Sequence, residues 1–231
     1  MKKNLAIIPI RSGSKRIKNK NIKIFNRKPL VYNAINTALK SKLFEKIVIS
    51  SDSSKYLNLI KDGFNNNKVL DYLKRTHKIS SNLSNTELAI DHAIKFFQNY
   101  DNIFLIQATS PLLQYSDLIN GYKKFKNSNL DSLFSCYISS SFIWSYKNDK
   151  FQPENYDFKN RPMSQSFKNK KIIENGAFYI FKYQKYLKFR NRLFGNIGFY
   201  EMNKYLSIDI DNINDFKIAE FINKNIKYFK N

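Results

Sequence analysis

The stretch LAIIPIRSGSK, residues 5–15, joins an apolar run directly to a basic loop that contains glycine. The run at residues 5–10 predicts a buried strand. In the loop that follows, Gly13 lets backbone N–H groups approach an anion closely, while Arg11 and Lys15 supply charge that suits a polyphosphate. A basic surface loop is the alternative. The position directly after a buried strand favours a loop that grips a triphosphate.

Outward from this loop, apolar runs alternate with segments of helical periodicity. The predicted strands are 5–10, 47–50, 69–70, 103–107, 131–137, 177–181 and 205–210. The predicted helices are 29–39, one starting at 51–53, 86–97, 116–125 and 213–226. This alternation predicts βαβ crossovers and therefore an α/β fold, a mostly parallel sheet with helices on both faces. The pattern breaks at residues 139–173, which are polar and aromatic and predict an inserted arm within a single domain, 1–231.

Composition limits the classes of protein and of partner. The 231 residues carry a formal net charge of +22, but the lysines are spread along the whole chain and no nucleic-acid-binding motif is recognisable. We therefore expect no specific nucleic-acid partner. The apolar runs are too short to cross a bilayer, and no signal peptide is recognisable. With Cys136 as the lone cysteine, the sequence predicts a cytoplasmic protein with no membrane partner.

A second polar segment, residues 107–111 (QATSP), follows the predicted strand at 103–107. Ligands of parallel sheets bind beyond the carboxyl ends of the strands, which places Gln107 at the rim of a site. Alternatively, Ser110 caps a helix and Pro111 takes its first position. The two interpretations are compatible.

A third segment, residues 207–211 (SIDID), carries paired carboxylates. In a strand, Asp209 and Asp211 would share a face, and two like charges so close favour a hard cation such as Mg²⁺. The alternative is that Asp211 or Asn212 caps the closing helix while Asp209 pairs with a lysine. Spacing alone leaves both interpretations open.

Two further segments, 161–165 (RPMSQ) and 174–177 (ENGA), lie in and after the arm. Asn175-Gly176 is a turn signal, so the second segment is compatible with a simple hairpin before the strand at 177–181.

In this order and spacing the segments resemble the acylneuraminate cytidylyltransferase family, the CMP-sialic acid synthetases. The resemblance rests on residues 8–15 (IPIRSGSK) with Lys20-Asn21, and on residues 107–111, 174–179 and 207–211. It implies a Rossmann-like nucleotidyltransferase fold and a homodimer whose dimerisation element is the arm. It further implies an enzyme that transfers CMP from CTP to a nine-carbon 2-keto sugar acid and releases pyrophosphate.

The resemblance also implies roles for individual residues. Contacts to CTP would come from Arg11, Ser14, Lys15, Lys20, Asn21, Arg75, Ser84 and Gln107. The sugar acid would be held by Gln107, Arg161 and Gln165, and Mg²⁺ by Asp209 and Asp211. Lys20, Arg11 and the metal would neutralise charge that builds on the phosphates, and Asp211 or a metal-bound water would take the proton from the acceptor hydroxyl.

One departure concerns the acceptor. Many family members have Arg-Pro-Arg-Arg-Gln-Asp where this chain has RPMSQS at residues 161–166, so two arginines are replaced by Met163 and Ser164. The second of them normally helps to hold the sugar acid. The departure points to a legionaminic- or pseudaminic-type acceptor rather than N-acetylneuraminate. A Kdo-type acceptor, or a non-catalytic nucleotide- or polyanion-binding protein, is the alternative.

Overall fold

The computed structural model describes residues 3–65, 67–76, 86–163 and 167–229. The first half contains β1 (Asn4–Ile10), β2 (Ile24–Phe25), β3 (Lys28–Pro29), α1 (Val31–Ser41), β4 (Lys46–Ser51), α2 (Ser54–Gly63), β5 (Leu70–Lys74), α3 (Thr86–Phe96), β6 (Asn102–Ile106) and α4 (Tyr115–Asn127). The second half contains β7 (Ser132–Ser139), β8 (Trp144–Lys147), β9 (Lys150–Pro153), β10 (Lys171–Lys182), α5 (Tyr183–Phe189), β11 (Ile197–Glu201) and α6 (Ile213–Lys224).

The central sheet has seven strands in the order β11-β7-β10-β6-β1-β4-β5. Every neighbouring pair is parallel except the two that involve β10, which runs antiparallel to β6 and β7. The prediction of a mostly parallel sheet is therefore confirmed. Since β5, β4, β1 and β6 are adjacent and parallel, their carboxyl ends meet at one edge of the sheet.

Alternating side chains of β1 enter different cores, which shows that both faces of the sheet are covered. Ile8 and Ile10 pack with residues of α1, α2 and α4, whereas Leu5 and Ile7 pack with residues of α3 and α5. Strand residues two apart share a face, so each face receives its own helices. The prediction of helices on both faces is confirmed.

A third, smaller core lies under α6 and joins the loops at the edge of the sheet. It contains Ile17 from the loop after β1, Leu112 from the segment after β6, and Ile210 from between the paired aspartates. Phe216 and Ala219 of α6 cover these side chains. Three segments that are distant in sequence are thus fixed against one another by apolar contact.

The predicted strand at 205–210 is wrong. Residues 204–206 form a 3-10 helix, and residues 207–211 are irregular and pair with no strand. Leu206, Ile208 and Ile210 alternate as strand residues do, but their side chains pack in the third core beneath α6 without forming a strand. Sequence analysis also missed the short β2–β3 hairpin, α5 and β11.

The inserted arm lies between β7 and β10 and includes a separate hairpin, β8–β9. Its aromatic rings contact one another: Phe142 lies 4.5 Å from Tyr156 and 5.0 Å from Phe167 between ring centroids. Several large apolar side chains remain exposed, including Phe151 at 75% and Met163 at 72%. Because β10 starts at Lys171, the arm is slightly shorter than predicted. Among the described residues no helix is long and apolar enough to cross a membrane.

Candidate active site

Polar residues follow each of the four adjacent parallel strands β5, β4, β1 and β6. The basic loop 11–21 follows β1, Asp52 follows β4, Arg75 follows β5 and Gln107 follows β6. Ligands of such sheets bind at this edge. The topology therefore brings three sequence-predicted elements, together with the unpredicted Asp52, to one side of the molecule.

The loop after β1 is held in place by polar contacts at several points. Ser12 donates to Asp52 through both its backbone N–H (2.9 Å) and its hydroxyl (2.7 Å). The Asn21 amide donates to the Arg11 carbonyl at 2.9 Å, and the Tyr56 hydroxyl donates to Asn19 at 2.9 Å. Asn21 is buried, so in this structure it braces the loop from within.

Gly13 and Lys15 lie on the open side of the same loop. A Cβ added to Gly13 would have no protein atom within 4 Å, so packing within the protein does not require glycine there. Lys15 is exposed and Ser14 is partly exposed, and among the described residues neither side chain contacts another candidate residue. The loop thus presents backbone and charge to solvent, as an anion-binding loop must.

Arg75 is buried, with 4% of its surface exposed, beneath this loop. Its guanidinium donates to the carbonyl of Ile10 at 2.8 Å, at the point where β1 ends. Burial lowers the pKa of Arg75, while the negative charge of Asp52 opposes that shift. Arg75 therefore supports the end of β1 as well as lying at the edge where the nucleotide was predicted.

Lys20 connects the loop to the segment that carries the aspartates. Its ammonium donates to the Ile210 carbonyl at 2.6 Å and lies 4.0 Å from the Asp211 carboxylate. Burial lowers the pKa of Lys20, and the charges of Asp209 and Asp211 oppose the shift. A partly desolvated cation at this position is suited to a phosphate oxygen.

The paired aspartates lie in extended, irregular chain, and they face different surroundings. By its surface Asp209 is exposed, as Asp211 is, although its carboxyl lies among many protein atoms, whose desolvation raises its pKa; a hydrogen bond from Thr109 lowers this pKa, and the charge of Asp211 raises it further. Asp211 is exposed and pairs with Arg16 at 3.1 Å. The carboxylates are close enough to interact, without the shared strand face that the sequence predicted.

The start of α6 decides whether Asp211 or Asn212 caps this helix. Asn212, which was one of the two capping candidates, is the N-cap residue, and its side chain accepts from the N–H groups of Asn214 and Asp215. Asp215 in turn accepts from the backbone N–H of Asp211. The Asp211 side chain is therefore not the helix cap.

Gln107 is partly buried and follows β6, which lies between β1 and β10 in the sheet. Its backbone N–H donates to the Ala177 carbonyl at 3.0 Å, and two residues on, the Thr109 carbonyl accepts from the N–H of Ile210 at 2.9 Å. The alternative in which Ser110 caps a helix and Pro111 begins it is wrong, because α4 begins at Tyr115 with Gln114 as its N-cap.

A cavity of about 530 Å³ adjoins Asp209. Its lining comes from β10 and from the segment after β11, with Tyr137 of β7. The lining residues are Tyr137, Ile173, Glu174, Asn175, Gly176, Tyr179, Lys204, Ser207, Ile208 and Asp209. This volume is in the range of small-molecule sites.

An irregularity in β10 shapes the cavity wall. The register against β7 shifts between Glu174 and Tyr179, and Gly176 has a φ of +70°. The Asn175 side chain accepts from the Ser135 hydroxyl at 2.6 Å, within the irregular stretch. Since β10 continues through these residues, the predicted simple hairpin at 174–177 is wrong; the turn signal marks a bulge.

A family model described as Cytidylyltransferase matches residues 5–230. The chain belongs to this cytidylyltransferase family. It is 31% identical to the N-acylneuraminate cytidylyltransferase of Escherichia coli O18:K1:H7, over 94% of this chain and 51% of that protein, so it spans about half of that relative. It is also 31% identical to the pseudaminic acid cytidylyltransferase of Campylobacter jejuni serotype O:23/36, over 96% of this chain and 97% of that protein.

Among solved structures, this cytidylyltransferase is similar to a CMP:2-keto-3-deoxy-manno-octonic acid synthetase complexed with CTP. The TM-score is 0.70 with 12% identity, covering 97% of this chain and 99% of that one. At this identity the likeness establishes the fold and leaves the acceptor undecided. The predicted Rossmann-like nucleotidyltransferase fold is confirmed.

Some predicted site residues of this cytidylyltransferase lie elsewhere. Ser84 and Gln165 lie outside the described residues. Arg161 is on the arm, where its guanidinium lies 4.4 Å from the centre of the Phe142 ring, and it does not line the cavity. Sequence analysis missed Asp52, Tyr179 and Lys204. Asp52 had a usable signal, because it directly follows a predicted parallel strand.

Proposed function

We propose that the protein transfers CMP from CTP to the anomeric hydroxyl of a nine-carbon 2-keto sugar acid and releases pyrophosphate. One observation carries the proposal: the loop after β1, through Lys20, contacts the segment that carries Asp209 and Asp211, and this segment also lines a cavity of about 530 Å³. The proposed triphosphate grip and the proposed space for a second substrate are thus adjacent. The names of the relatives support the two substrates.

For the nucleotide, the proposal places the triphosphate over the loop after β1. Arg11, Ser14, Lys15 and Lys20 would contact the phosphates, while Arg75 and the buried Asn21 would support the loop from below. Gln107 would lie between cytidine and acceptor, a role supported by its backbone link to Ala177 of β10. Ser84 is retained as a proposed contact on resemblance alone.

For the acceptor, the proposal places the sugar acid in the cavity. Lys204 is the only cation among the residues that line it, and within the described residues its ammonium has no carboxylate partner. It is therefore our candidate for the acceptor carboxylate, in place of the arginines replaced by Met163 and Ser164. Arg161 and Gln165 remain proposed sugar contacts that would depend on the position of the arm.

For the metal, Asp209 and Asp211 are proposed to hold Mg²⁺. Their oxygen donors suit this ion, which usually takes one or two carboxylates together with substrate phosphates and water. No group of three or more His, Cys, Asp or Glu side chains suited to a metal occurs among the described residues, so the phosphates would have to complete the coordination. The ion would supply charge neutralisation at the phosphates.

In the reaction, the anomeric oxygen forms a bond to the α-phosphorus while the bond from that phosphorus to the pyrophosphate oxygen breaks. Negative charge builds on the phosphate oxygens, and Lys20 and Arg11 would stabilise it. The proton of the hydroxyl passes to a carboxylate of the pair. Asp211 or a metal-bound water was the candidate from sequence; the cavity lining favours Asp209, since Asp211 pairs with Arg16 instead.

The arm is proposed to form a homodimer interface. Its exposed apolar side chains support this, since large exposed apolar patches on a protein commonly mark interaction sites. Sedimentation should give twice the mass of the chain, and arm variants such as Phe151→Lys should shift it toward the monomer.

The use of CTP further supports a cytoplasmic location.

The activity is tested by measuring pyrophosphate release with CTP and Mg²⁺ against a panel of acceptors. The panel contains N-acetylneuraminic, legionaminic, pseudaminic and Kdo-type acids. We expect release with a nine-carbon acid and, given the departure at 161–166, more with the legionaminic or pseudaminic type. Release with the eight-carbon acid alone would replace the proposed acceptor. Failure with every acid, together with no thermal stabilisation by CTP, would refute the enzyme proposal.

A further inference from the structure

Asp52 is an acidic residue in a place where a polyanion is proposed to bind. It follows β4, at the same edge of the sheet as the loop after β1, and only 9% of its surface is exposed. A carboxylate close to a triphosphate is electrostatically unfavourable. Its presence therefore calls for a compensating role.

The contacts of Asp52 identify that role. Both of its carboxylate oxygens accept from Ser12, one from the backbone N–H at 2.9 Å and the other from the hydroxyl at 2.7 Å. The carbonyl of Asp52 accepts from the Lys74 ammonium, which fixes the residue from the other side. Hydrogen bonds to a charged acceptor are stronger than those between neutral groups.

The charge state of Asp52 agrees with these contacts. Burial raises its pKa, but the two hydrogen bonds from Ser12 and the positive charge of Arg75 more than offset this, and the net pKa is lowered. Asp52 is therefore ionised at neutral pH and can hold Ser12 at full strength.

The contacts also decide which loop groups remain for a ligand. Both donors of Ser12 are taken by Asp52, and the Ser14 N–H donates to the Ser12 carbonyl at 3.0 Å. The N–H groups of Gly13 and Lys15 make no hydrogen bond within the part of the chain that the structure describes. Fixing Ser12 thus leaves the next backbone donors free on the open side of the loop.

We propose that Asp52 is a positioning residue that holds Ser12 and so presets the loop after β1 for the triphosphate. This inference rests on the proposed function, because it assumes that CTP binds to this loop. It assigns Asp52 no contact with substrate. Its effect passes entirely through Ser12.

The sign of the change in CTP affinity separates this role from a simple charge effect. If Asp52 acted only as a nearby negative charge, Asp52→Ala would tighten CTP binding. If Asp52 presets the loop, the same variant weakens it, and we expect the Kd of CTP, measured by calorimetry without acceptor, to rise about tenfold, which equals about 1.4 kcal/mol. Cytidine, which has no phosphates, should bind wild type and variant equally.

Three companion variants complete the test. Ser12→Ala should weaken CTP binding less than Asp52→Ala, and adding it to Asp52→Ala should have no further effect, because the two residues act as one unit. Asp52→Asn, which keeps one acceptor oxygen, should be intermediate. Asp62→Ala, an exposed residue at the far end of α2, makes the same charge change and should leave the Kd unaltered.

The outcomes separate this inference from the proposed function. Unchanged or tighter CTP binding by Asp52→Ala, or equal losses for CTP and cytidine, would overturn the positioning role while leaving the activity standing. A wild-type protein that does not bind CTP would remove both. If Asp52→Ala melts well below wild type, the Asp52→Asn and Ser12→Ala variants replace it in the test. Losses of CTP affinity that add up when the two changes are combined, together with equal losses for cytidine, would then refute the positioning role.

Discussion

The proposed nucleotide side and the proposed acceptor side of the site are built differently. On the nucleotide side, the loop after β1 is anchored by Asp52, Tyr56 and a buried Ile17, and Lys20 ties it to the aspartate segment. On the acceptor side, the cavity wall is an irregular strand, and Arg161 lies on the arm instead of in the cavity. The proposed nucleotide side is thus built from braced loops, while the wall of the proposed acceptor side is built from a bulged strand.

The largest effect should come from Lys20, the residue that links loop and aspartates. Lys20→Ala should lower kcat/KM on the order of 10³-fold, because a partly desolvated cation next to the reacting phosphate is lost. Initial rates of pyrophosphate release measure this. Lys20→Arg, which retains the charge, should recover part of the activity; a loss below about tenfold for Lys20→Ala would place the main charge stabilisation elsewhere.

Asp209 should have the next largest effect, because its segment contacts Lys20 and it also lines the cavity. Asp209→Asn should lower kcat about 10²-fold, which is typical of the loss of a general base. The wild-type rate should fall at acidic pH, since the ionised form is required. If Asp211→Asn were the more damaging change and Asp209→Asn nearly neutral, the proton would pass to Asp211.

The raised pKa of Asp209 also predicts an effect on stability. The folded state disfavours ionisation of this group more than the unfolded state does, so the destabilisation is fully present above the folded pKa and disappears below the unfolded pKa. Because Asp209 is exposed and its charge is screened by solvent, the effect should be small: without Mg²⁺, Asp209→Asn should melt slightly higher than wild type at pH 7, and the advantage should vanish at acidic pH. Thermal unfolding at several pH values shows whether it does.

The sequence predicted which loops gather at the edge of the sheet much better than it predicted the cavity, for a physical reason. Parallel strands deliver their following residues to one edge, so Arg11 and Gln107 could be grouped once the alternation was recognised. The aspartate segment follows no strand, and only the resemblance to the cytidylyltransferases grouped it with them. The same rule also identifies Asp52, which comes just after the predicted strand at 47–50. The strand at 205–210 failed because Leu206 and Ile210 alternate for another purpose, packing beneath α6.

The acceptor side lacked such a rule. Asn175-Gly176 signals a reversal of the chain, and nothing local distinguishes a turn from a bulge in a strand that continues. Lys204 is a candidate only because contacts between residues distant in sequence place its 3-10 helix beside β10. Cavities formed in this way are not encoded in any single segment.

Lys204 is expected to have a moderate effect, confined to the acceptor side. Lys204→Met should raise the KM of the sugar acid about tenfold, equal to about 1.4 kcal/mol, and leave the KM of CTP unchanged. Lys217→Met, an exposed residue of α6, removes the same charge away from the cavity and serves as the control. Equal changes in both KM values would show a general effect of charge and would remove Lys204 as the carboxylate contact.

The smallest effect should come from two glycines, one on each side. A Cβ at either Gly13 or Gly176 would have no neighbour within 4 Å, but only Gly176 has a positive φ, +70°. Gly176→Ala should therefore reduce the free energy of unfolding by about 1 kcal/mol through backbone strain, as measured by denaturant titration. Gly13→Ala should leave stability unchanged and weaken CTP binding, because its methyl group would point into the space reserved for phosphate. If Gly13→Ala were destabilised but bound CTP normally, this glycine would be needed for folding and not for CTP. The proposed difference between the two sides would then be wrong for this pair of glycines.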